Sequence, residues 1–413
     1  MSVSEWREVT LGDVCDSVSN THPFEKAKLI FLNTSDVYDG SILHNNYSPV
    51  AEMPGQAKKS IKKGDILYSE IRPKNKRYAM VNFDASDYVV STKFMVIRSN
   101  GLIVNKFLYL YLTSNEVLET LQQVAEARSG TFPQITFSQV AELKLNLPPI
   151  PEQKAIVATL SALDDMIELN NQINKTLEEM AQAIFKSWFV DFEPFKDGEF
   201  EESELGLIPK GWRVGCIGDY VKVKSGFAFK SSWWETSGVP VIKIKEIDNY
   251  TINFGDVSYV SEDKAALAKD FRVNGGDLLI AMTGATIGKF AIVPKMPSFA
   301  VVNQRVGKFF LGDNPLEKLG FIYCILKQDN VYKEIVSRGE GSAQPNISPS
   351  GIESIKIVLP PERLINEYNQ LVMKFFKMII ENTAENALLI CLRDTLLPKL
   401  MSGEIRVPVE EVV

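Results

Sequence analysis

The chain repeats itself once, at a spacing of about half its length, and no other feature limits its fold so strongly. WREVTLGDV, from Trp6, returns as WRVGCIGDYV, from Trp212, at an offset of 206. KKGDILYSEIRPKNKRYAMV, from Lys62, aligns with NGGDLLIAMTGATIGKFAIV, from Asn274, so that Gly64 and Asp65 fall on Gly276 and Asp277 at an offset of 212. VVSTKF aligns with VVNQRV, SGTFPQIT with GSAQPNIS, and LKLNLPPIPEQ with IKIVLPPE. Solenoids repeat every 20–50 residues or so. A period this long marks instead a duplicated domain with its connector. At about 150 residues per domain, 413 residues leave room for two such copies.

Within each copy the first part reads as short strands. ILYSEI, YAMVNF, VVSTKFMVI, PVIKIKEI, DLLIAM and KFAIV are rich in β-branched and aromatic residues, with Gly, Pro, Asn and Asp between them. NKFLYLYLTSNEVLETL (Asn105 to Leu121) and its counterpart PLEKLGFIYCILKQDNVYKEI read as helix. The fold class is therefore α+β, with two mixed domains. After each Pro-Pro pair the pattern changes to a heptad seam. Ile156, Leu160, Leu163, Ile167, Asn170, Asn174, Leu177, Ala181, Ile184 and Trp188 alternate steps of four and three. Leu364, Tyr368, Leu371, Phe375, Met378, Asn382, Glu385, Leu389, Leu392 and Leu396 do the same. Such seams bury against a partner helix. Asn170 and Asn174 flank the midpoint of one and Asn382 lies beside the midpoint of the other, so an antiparallel pair brings them together and fixes the register. The expected division is a first domain over 1–150, a helix over 151–190, an acidic linker over 191–211, a second domain over 212–361, a helix over 362–400 and a tail over 401–413.

The net charge of −7 argues at first against a nucleic-acid partner. It is unevenly spread: 0 over residues 1–150, −9 over 151–208, +4 over 209–361 and −2 over 362–413. The two domains can thus carry basic faces. In the first, Arg72, Lys74, Lys76 and Arg77 cluster beside Tyr78, with Lys93 and Arg128 further on. In the second, Lys224 and Lys230 lie among Phe227, Phe229, Trp233 and Trp234, followed by Thr283, Thr286 and Lys289 and then by Asn303, Gln304 and Arg305. Lys and Arg meet phosphates, and Arg, Asn, Gln and Thr read base edges. These are the candidate DNA-binding residues.

Catalytic signatures do not fit. TGATIGK is one residue short of a phosphate loop, and Phe290 stands where Ser or Thr would reach magnesium. Four scattered cysteines and two histidines, His22 and His44, offer no metal-ligand spacing and no triad. Asp65 to Arg72 loosely follows a nuclease acid cluster but lacks its Lys, and a strand with a turn carboxylate is the simpler reading. No run of apolar residues is long enough to span a membrane, and no secretory signal core opens the chain, so the expected location is the cytoplasm.

Read in order, several phrases together resemble the specificity subunit of a Type I restriction-modification enzyme. They are WREVTLGD at Trp6, GDILYSEIRPKNKRYA at Gly64, LPPIPEQKAIVATLSALDD at Leu147 and NQINKTLEEMAQAIFKSWFVDFEPF at Asn171. SELGLIPKGW at Ser203, TGATIGKFAIV at Thr283 and RDTLLPKLMSGEIRV at Arg393 complete the series. The second connector, LPPERLINEYNQLV, departs from the fuller PxPEQ form of the first. The resemblance implies two target-recognition domains separated by an antiparallel coiled coil, each reading one half of a bipartite, asymmetric site in double-stranded DNA. It implies a non-catalytic subunit with no cofactor of its own. Its partners would be two modification subunits carrying S-adenosylmethionine and two restriction subunits using ATP and magnesium. Two other readings stand beside it. One is a DNA adenine methyltransferase or fused restriction enzyme, which the missing Asn-Pro-Pro-aromatic motif disfavours. The other is a scaffold that assembles through its helices without touching DNA.

Overall fold

The computed structural model describes residues 6–128, 133–248, 250–339 and 345–408. The chain divides into two compact units, Met1–Asp165 with Ile390–Val413, and Met166–Leu389. The α+β class and the duplicated domain expected from the sequence are both present.

In the first unit, β1 (Arg7–Thr10), β2 (Cys15–Val18), β3 (Lys28–Leu32), β4 (Ser48–Pro49) and β5 (Ala57–Ser60) precede β6 (Ile66–Ser69) and β7 (Tyr78–Met80). β8 (Tyr88–Ser91), β9 (Phe94–Ser99) and β10 (Lys144–Leu147) follow. A small hairpin of Val37–Tyr38 with Ser41–Ile42 lies between β3 and β4. Two four-stranded sheets result, in the orders β2-β9-β6-β7 and β4-β3-β8-β5. The β3–β8 pair is parallel. β1 pairs antiparallel with β10, Arg7 opposite Leu147, and so clasps the two ends of the domain. β6 is buried on both faces. Ile66 and Tyr68 face one core cluster and Leu67 another, as strand alternation requires.

The second unit repeats this plan strand for strand. β11 (Arg213–Cys216), β12 (Lys222–Ser225), β13 (Val239–Ile242), β14 (Ser258–Val260) and β15 (Arg272–Val273) lead to β16 (Leu278–Ala281) and β17 (Phe290–Ile292). β18 (Ala300–Val302), β19 (Val306–Phe310) and β20 (Lys356–Leu359) complete the series. The sheets run β12-β19-β16-β17 and β14-β13-β18-β15. β13–β18 is again the parallel pair, and β11 clasps β20.

The helices of eight or more residues are α1 (Asn105–Leu112), α2 (Asn115–Arg128), α3 (Ile150–Phe189), α4 (Leu316–Leu326), α5 (Asp329–Gly339) and α6 (Glu362–Ser402). Each region read as one helix in the sequence is therefore two. In the first copy the break falls at Thr113 and Ser114, whose hydroxyls donate to the Tyr109 and Tyr111 carbonyls. Short hydroxyl side chains compete in this way with the helical ladder.

α3 and α6 contribute to both units. In the first, Ile156 and Leu160 join Leu400 and Met401 in the main core, and Arg393 Nη1 meets Asp164 Oδ1 at 2.9 Å. In the second, Ala181, Phe185 and Phe189 pack with Tyr368, Val372 and Phe376. Tyr368 donates its hydroxyl proton to the Ala181 carbonyl (3.0 Å) and Asn382 Nδ2 donates to Asn174 Oδ1 (2.9 Å). Rising numbers in α3 meet falling numbers in α6, so the helices pair antiparallel.

The heptad seam expected in α6 needs correction. Leu371, Met378 and Leu392 are 48%, 46% and 46% exposed, whereas Val372, Phe376 and Ile380 are buried. The buried stripe is turned because α6 packs on α4 as well as on α3. Gly320 of α4 allows this approach: a Cβ there would lie 2.5 Å from Val372 Cγ2. Asn369, buried in the same contact, accepts a hydrogen bond from the Phe321 amide and donates one to Tyr220.

The repeated tryptophans mark the domain ends. Trp6 Nε1 donates to Glu152 Oε2 at 2.9 Å, and Arg406 binds the same carboxylate. Trp212 packs against Phe189, Phe192 and Phe195. Among the described residues, no helix is long and apolar enough to cross a membrane.

Candidate nucleic-acid interface

Five of the fourteen candidate DNA-binding residues, Arg72, Lys74, Lys76, Thr283 and Thr286, fall on two hairpin tips that correspond position for position, and Arg77 and Lys289 close them. The β6–β7 tip is residues 70–76, closed by the Ser69 amide donating to the Arg77 carbonyl (2.9 Å). The β16–β17 tip is residues 282–288, closed by the Ala281 amide donating to the Lys289 carbonyl (2.7 Å). Three long-range backbone bonds hold each tip, and they match at the offset of 212. The Glu70 and Met282 amides donate to the Lys93 and Arg305 carbonyls, at 3.0 and 3.1 Å. The Arg72 and Gly284 amides donate to the Pro133 and Pro345 carbonyls, at 3.2 and 2.9 Å. The Ile135 and Ile347 amides donate to the Glu70 and Met282 carbonyls, both at 2.9 Å. Each tip is thus fixed between the turn that precedes its neighbouring strand, β9 or β19, and the segment that follows the helices.

The turn leading into each hairpin also recurs. Gly64 (φ +94°) and Gly276 (φ +96°) occupy the left-handed region. Asp65 and Asp277 close the turn by accepting from the Lys62 and Asn274 amides, at 2.8 and 2.9 Å. Both carboxylates are buried. Asp65 is held by Arg98 Nε and Nη2, at 2.7 and 2.9 Å. Among the described residues the one cation paired with Asp277 is Lys308, at 3.4 Å, and burial pushes the Asp277 carboxyl above the ordinary carboxylate range. In the repeat frame Arg98 stands where Phe310 is and Lys308 where Val96 is. The counter-cation has moved two residues along one strand and stays on the same face. This carboxylate is the one read as a strand-and-turn residue in DILYSEIR, and its bonds are structural.

The two tips differ in what they carry. Positions three and seven of each have left-handed backbone: Arg72 (φ +44°) and Lys76 (φ +53°) in the first, Gly284 (φ +72°) and Gly288 (φ +84°) in the second. Glycine takes this conformation freely, while an L side chain there costs about 1–2 kcal/mol. Arg72 and Lys74 are exposed. Lys74 Nζ is 3.9 Å from Glu119, and its amide donates to the buried Gln122 side chain (3.2 Å). Lys76 pairs with Asp39 at 3.1 Å. Arg77 is half-buried, donates to the Ser35 and Val37 carbonyls at 3.0 and 3.1 Å, and covers the Tyr38 ring. Lys76 and Arg77 therefore fasten the tip to the Val37–Ile42 hairpin. Lys93 is exposed in the β8–β9 turn. Arg128 ends α2, and its side chain lies outside the described residues, as do Ser129–Phe132 and Gly341–Gln344 of the matched SGTFPQIT and GSAQPNIS phrases.

In the second unit Thr283, Gln304 and Arg305 come together with Ser225, Asn346 and Ser348 around a cleft of about 450 Å³. The Thr283 hydroxyl is buried and has no partner among the described residues. Thr286 donates to the Thr283 carbonyl (3.3 Å), and Lys289 pairs with Asp248 (3.0 Å). Asn303 accepts from the Arg305 amide and shapes the turn. Lys224 and Lys230 do not line this cleft. Lys224 lies over the Phe310 ring and Lys230 over Trp233. Lys243, half-buried 3.7 Å from the centre of the Trp234 ring, and Lys264, over Trp233, complete an aromatic and cationic cluster that the sequence reading missed. Burial holds the Lys243 ammonium below the usual lysine range. TGATIGK is a hairpin tip, with a strand and no helix after it.

The seam asparagines form a polar layer. Asn170 Nδ2 donates to Glu385 Oε2 and Asn386 Oδ1, both at 3.0 Å, and Asn386 Nδ2 donates to Asn171 Oδ1 at 2.9 Å. Asn386 was not read from the sequence, although it lies one helical turn beyond Asn382. Among the described residues no group of three or more His, Cys, Asp or Glu side chains could hold a metal ion.

Comparison with known proteins adds independent findings. The family described as the Type I restriction modification DNA specificity domain matches residues 3–179 and 209–389. The chain is 35% identical to the Type I restriction enzyme HindI specificity subunit of Haemophilus influenzae, over 98% of this chain and 100% of that one. It is 33% identical to the Type I restriction enzyme MjaIX specificity subunit of Methanocaldococcus jannaschii, over 76% of this chain and 71% of that one. In fold it is similar to the S subunit of a Type-I restriction-modification system from M. genitalium, with a TM-score of 0.54 at 17% identity over 96% of each chain.

Proposed function

The chain belongs to the family of Type I restriction-modification specificity subunits, the non-catalytic recognition components of those systems, and on that premise we propose that each of its two domains reads one half of a bipartite, asymmetric site in duplex DNA. The observation that carries this reading is the doubled hairpin tip: one backbone, held by the same main-chain bonds, presenting different side chains in each copy. Equal tips would read equal half-sites, and these are unequal. The solvent-facing cations Arg72, Lys93 and Arg305 supply phosphate or base contacts. Lys76, Arg77 and Lys289, engaged within their own units, position the tips.

The helix pair sets the unread spacer between the half-sites and docks two methyltransferase subunits, which bring S-adenosylmethionine; two restriction subunits bring ATP-driven chemistry and magnesium. The assembly works in the cytoplasm. The acidic stretch 151–208 suits a protein-facing role and would repel phosphate.

The test is a domain exchange. Residues 1–150 are replaced by the corresponding domain of a relative, and the adenines methylated by the assembled complex are mapped. One half-site changes and the other stays. Alteration of both halves would refute independent reading. A chain that serves only as a scaffold shows no salt-dependent duplex binding, whereas phosphate contacts impose a steep salt slope.

A further inference from the structure

We propose that Arg72 is a specificity-determining residue of the first domain, a guanidinium held on a strained hairpin tip to read a base edge in the half-site that domain contacts. The inference rests on the half-site reading above and goes one step further, to a single side chain.

The argument begins with the internal comparison. Positions 72 and 284 are equivalent: their amides donate to equivalent proline carbonyls, and both have positive φ. The second copy has glycine at 284, the residue this backbone favours. The first copy has arginine, which is neither glycine nor one of the short polar residues that tolerate the conformation. The same contrast holds at 76 and 288, but Lys76 has an internal reason to stay, its ion pair with Asp39. Arg72 has none. Its side chain is exposed and makes no hydrogen bond or ion pair among the described residues. A strained residue without an internal role points to a contact outside the chain.

The surroundings favour a base edge over a phosphate. A phosphate is met adequately by a flexible cation anywhere on a basic face. The main chain of Arg72 is held instead by its own amide bond to Pro133, by Pro73, which opens the short helical turn Pro73–Asn75 directly after it, and by the Asn75 amide donating to its carbonyl at 2.8 Å. That rigidity suits the fixed fork of a guanidinium, whose commonest specific partner is the O6 and N7 edge of guanine. In the second copy the glycine leaves the tip bare, and the polar groups of the Thr283, Gln304, Arg305 and Asn346 cleft take over the reading.

Arg72→Gly and Arg72→Lys chains, each assembled with the modification subunits, would be offered a plasmid library randomised across both half-sites, and the methylated sites sequenced. Thermal unfolding of the same chains would be recorded alongside. Arg72→Gly should raise the unfolding temperature, since the strain is gone. It should also reduce discrimination at one base pair of the first half-site by roughly tenfold to hundredfold, leaving the second half-site unchanged. Arg72→Lys should lose the same discrimination while keeping the strain and the charge. Uniform weakening across all sequences would make Arg72 a phosphate anchor and overturn the proposal. Unchanged methylation, or a lower unfolding temperature for Arg72→Gly, would overturn it as well. A wild-type complex that methylates no bipartite site would overturn the half-site reading itself.

Discussion

At the scale of single residues, the two copies solve the same problem with different chemistry. Asp65 and Asp277 close equivalent turns, but only Asp65 has a two-bond guanidinium partner. Asp65→Asn removes the carboxylate charge that answers Arg98 and one of the two oxygens it donates to. Breaking such a buried pair should cost roughly 3 kcal/mol, visible as an earlier midpoint in urea unfolding. Asp277→Asn should cost far less. The amide still accepts from Asn274, and Lys308 keeps its bond to the Arg272 carbonyl (2.6 Å). The sign follows from the raised folded-state value of Asp277. Its stabilising contribution is complete below the unfolded carboxylate value and is lost as pH rises through the folded one. Asp277→Asn therefore compares best with wild type at neutral pH and loses that advantage in acid. Equal losses for the two variants at pH 7 would contradict this account. Residues of this kind are half legible in sequence. Gly-Asp followed by a strand announces a turn carboxylate, but the cation that answers it is named only when β9 or β19 is laid beside it. The left-handed backbone at Arg72 is similarly silent, because RPKNKR reads as an ordinary basic turn until it is compared with the glycines of TGATIGK.

At the scale of elements, strands and long helices were readable and their partners were not. Runs rich in β-branched and aromatic residues between Gly, Pro, Asn and Asp gave β6, β8, β9 and β16 directly, and the heptads gave α3. In α6 the same heptad arithmetic put Leu371 and Met378 inside, where the structure has Val372 and Phe376. A heptad reports one neighbour, whereas α6 has two. The polar layer shows the same limit: Asn170, Asn174 and Asn382 were legible as seam positions, but Asn386, the buried partner of Asn170, was not. This layer makes a prediction of its own. Replacing Asn170 and Asn386 together with leucine removes a buried polar pair, and hydrophobic replacements of that kind are neutral or stabilising by up to a few kcal/mol. The expected outcome is an unchanged or higher unfolding temperature together with loss of a unique register, detected as mixed cross-linking between cysteines placed on the two helices. A single cross-linked register in the double-leucine chain would show that apolar packing alone sets the pairing.

At the scale of the whole molecule, the duplication and its family were legible from the order of the repeated phrases, and the correspondence of the tips followed from the offset of 212. The cleft around Thr283 was only partly so, since Ser225 and Ser348 reach it from segments far apart in sequence. If the helix pair measures out the spacer, inserting one heptad into each of α3 and α6 keeps the seam in phase. It lengthens the pair by about 10.5 Å, or roughly three base pairs of duplex. Mapped methylation sites should then show a longer spacer with both half-sites intact. The duplex turns by roughly 100° over that distance, so the rate should fall. A fully active chain with its spacer unchanged would rule the ruler out. The main-chain anchoring of the tips has one more consequence. Nothing in the three bonds to the 93 and 305 turns and the proline segments depends on which side chains the tips carry. If the tips read the target, residues 70–76 and 282–288 are places where a lineage can drift to new target sequences by single substitutions, without passing through an unfolded ancestor.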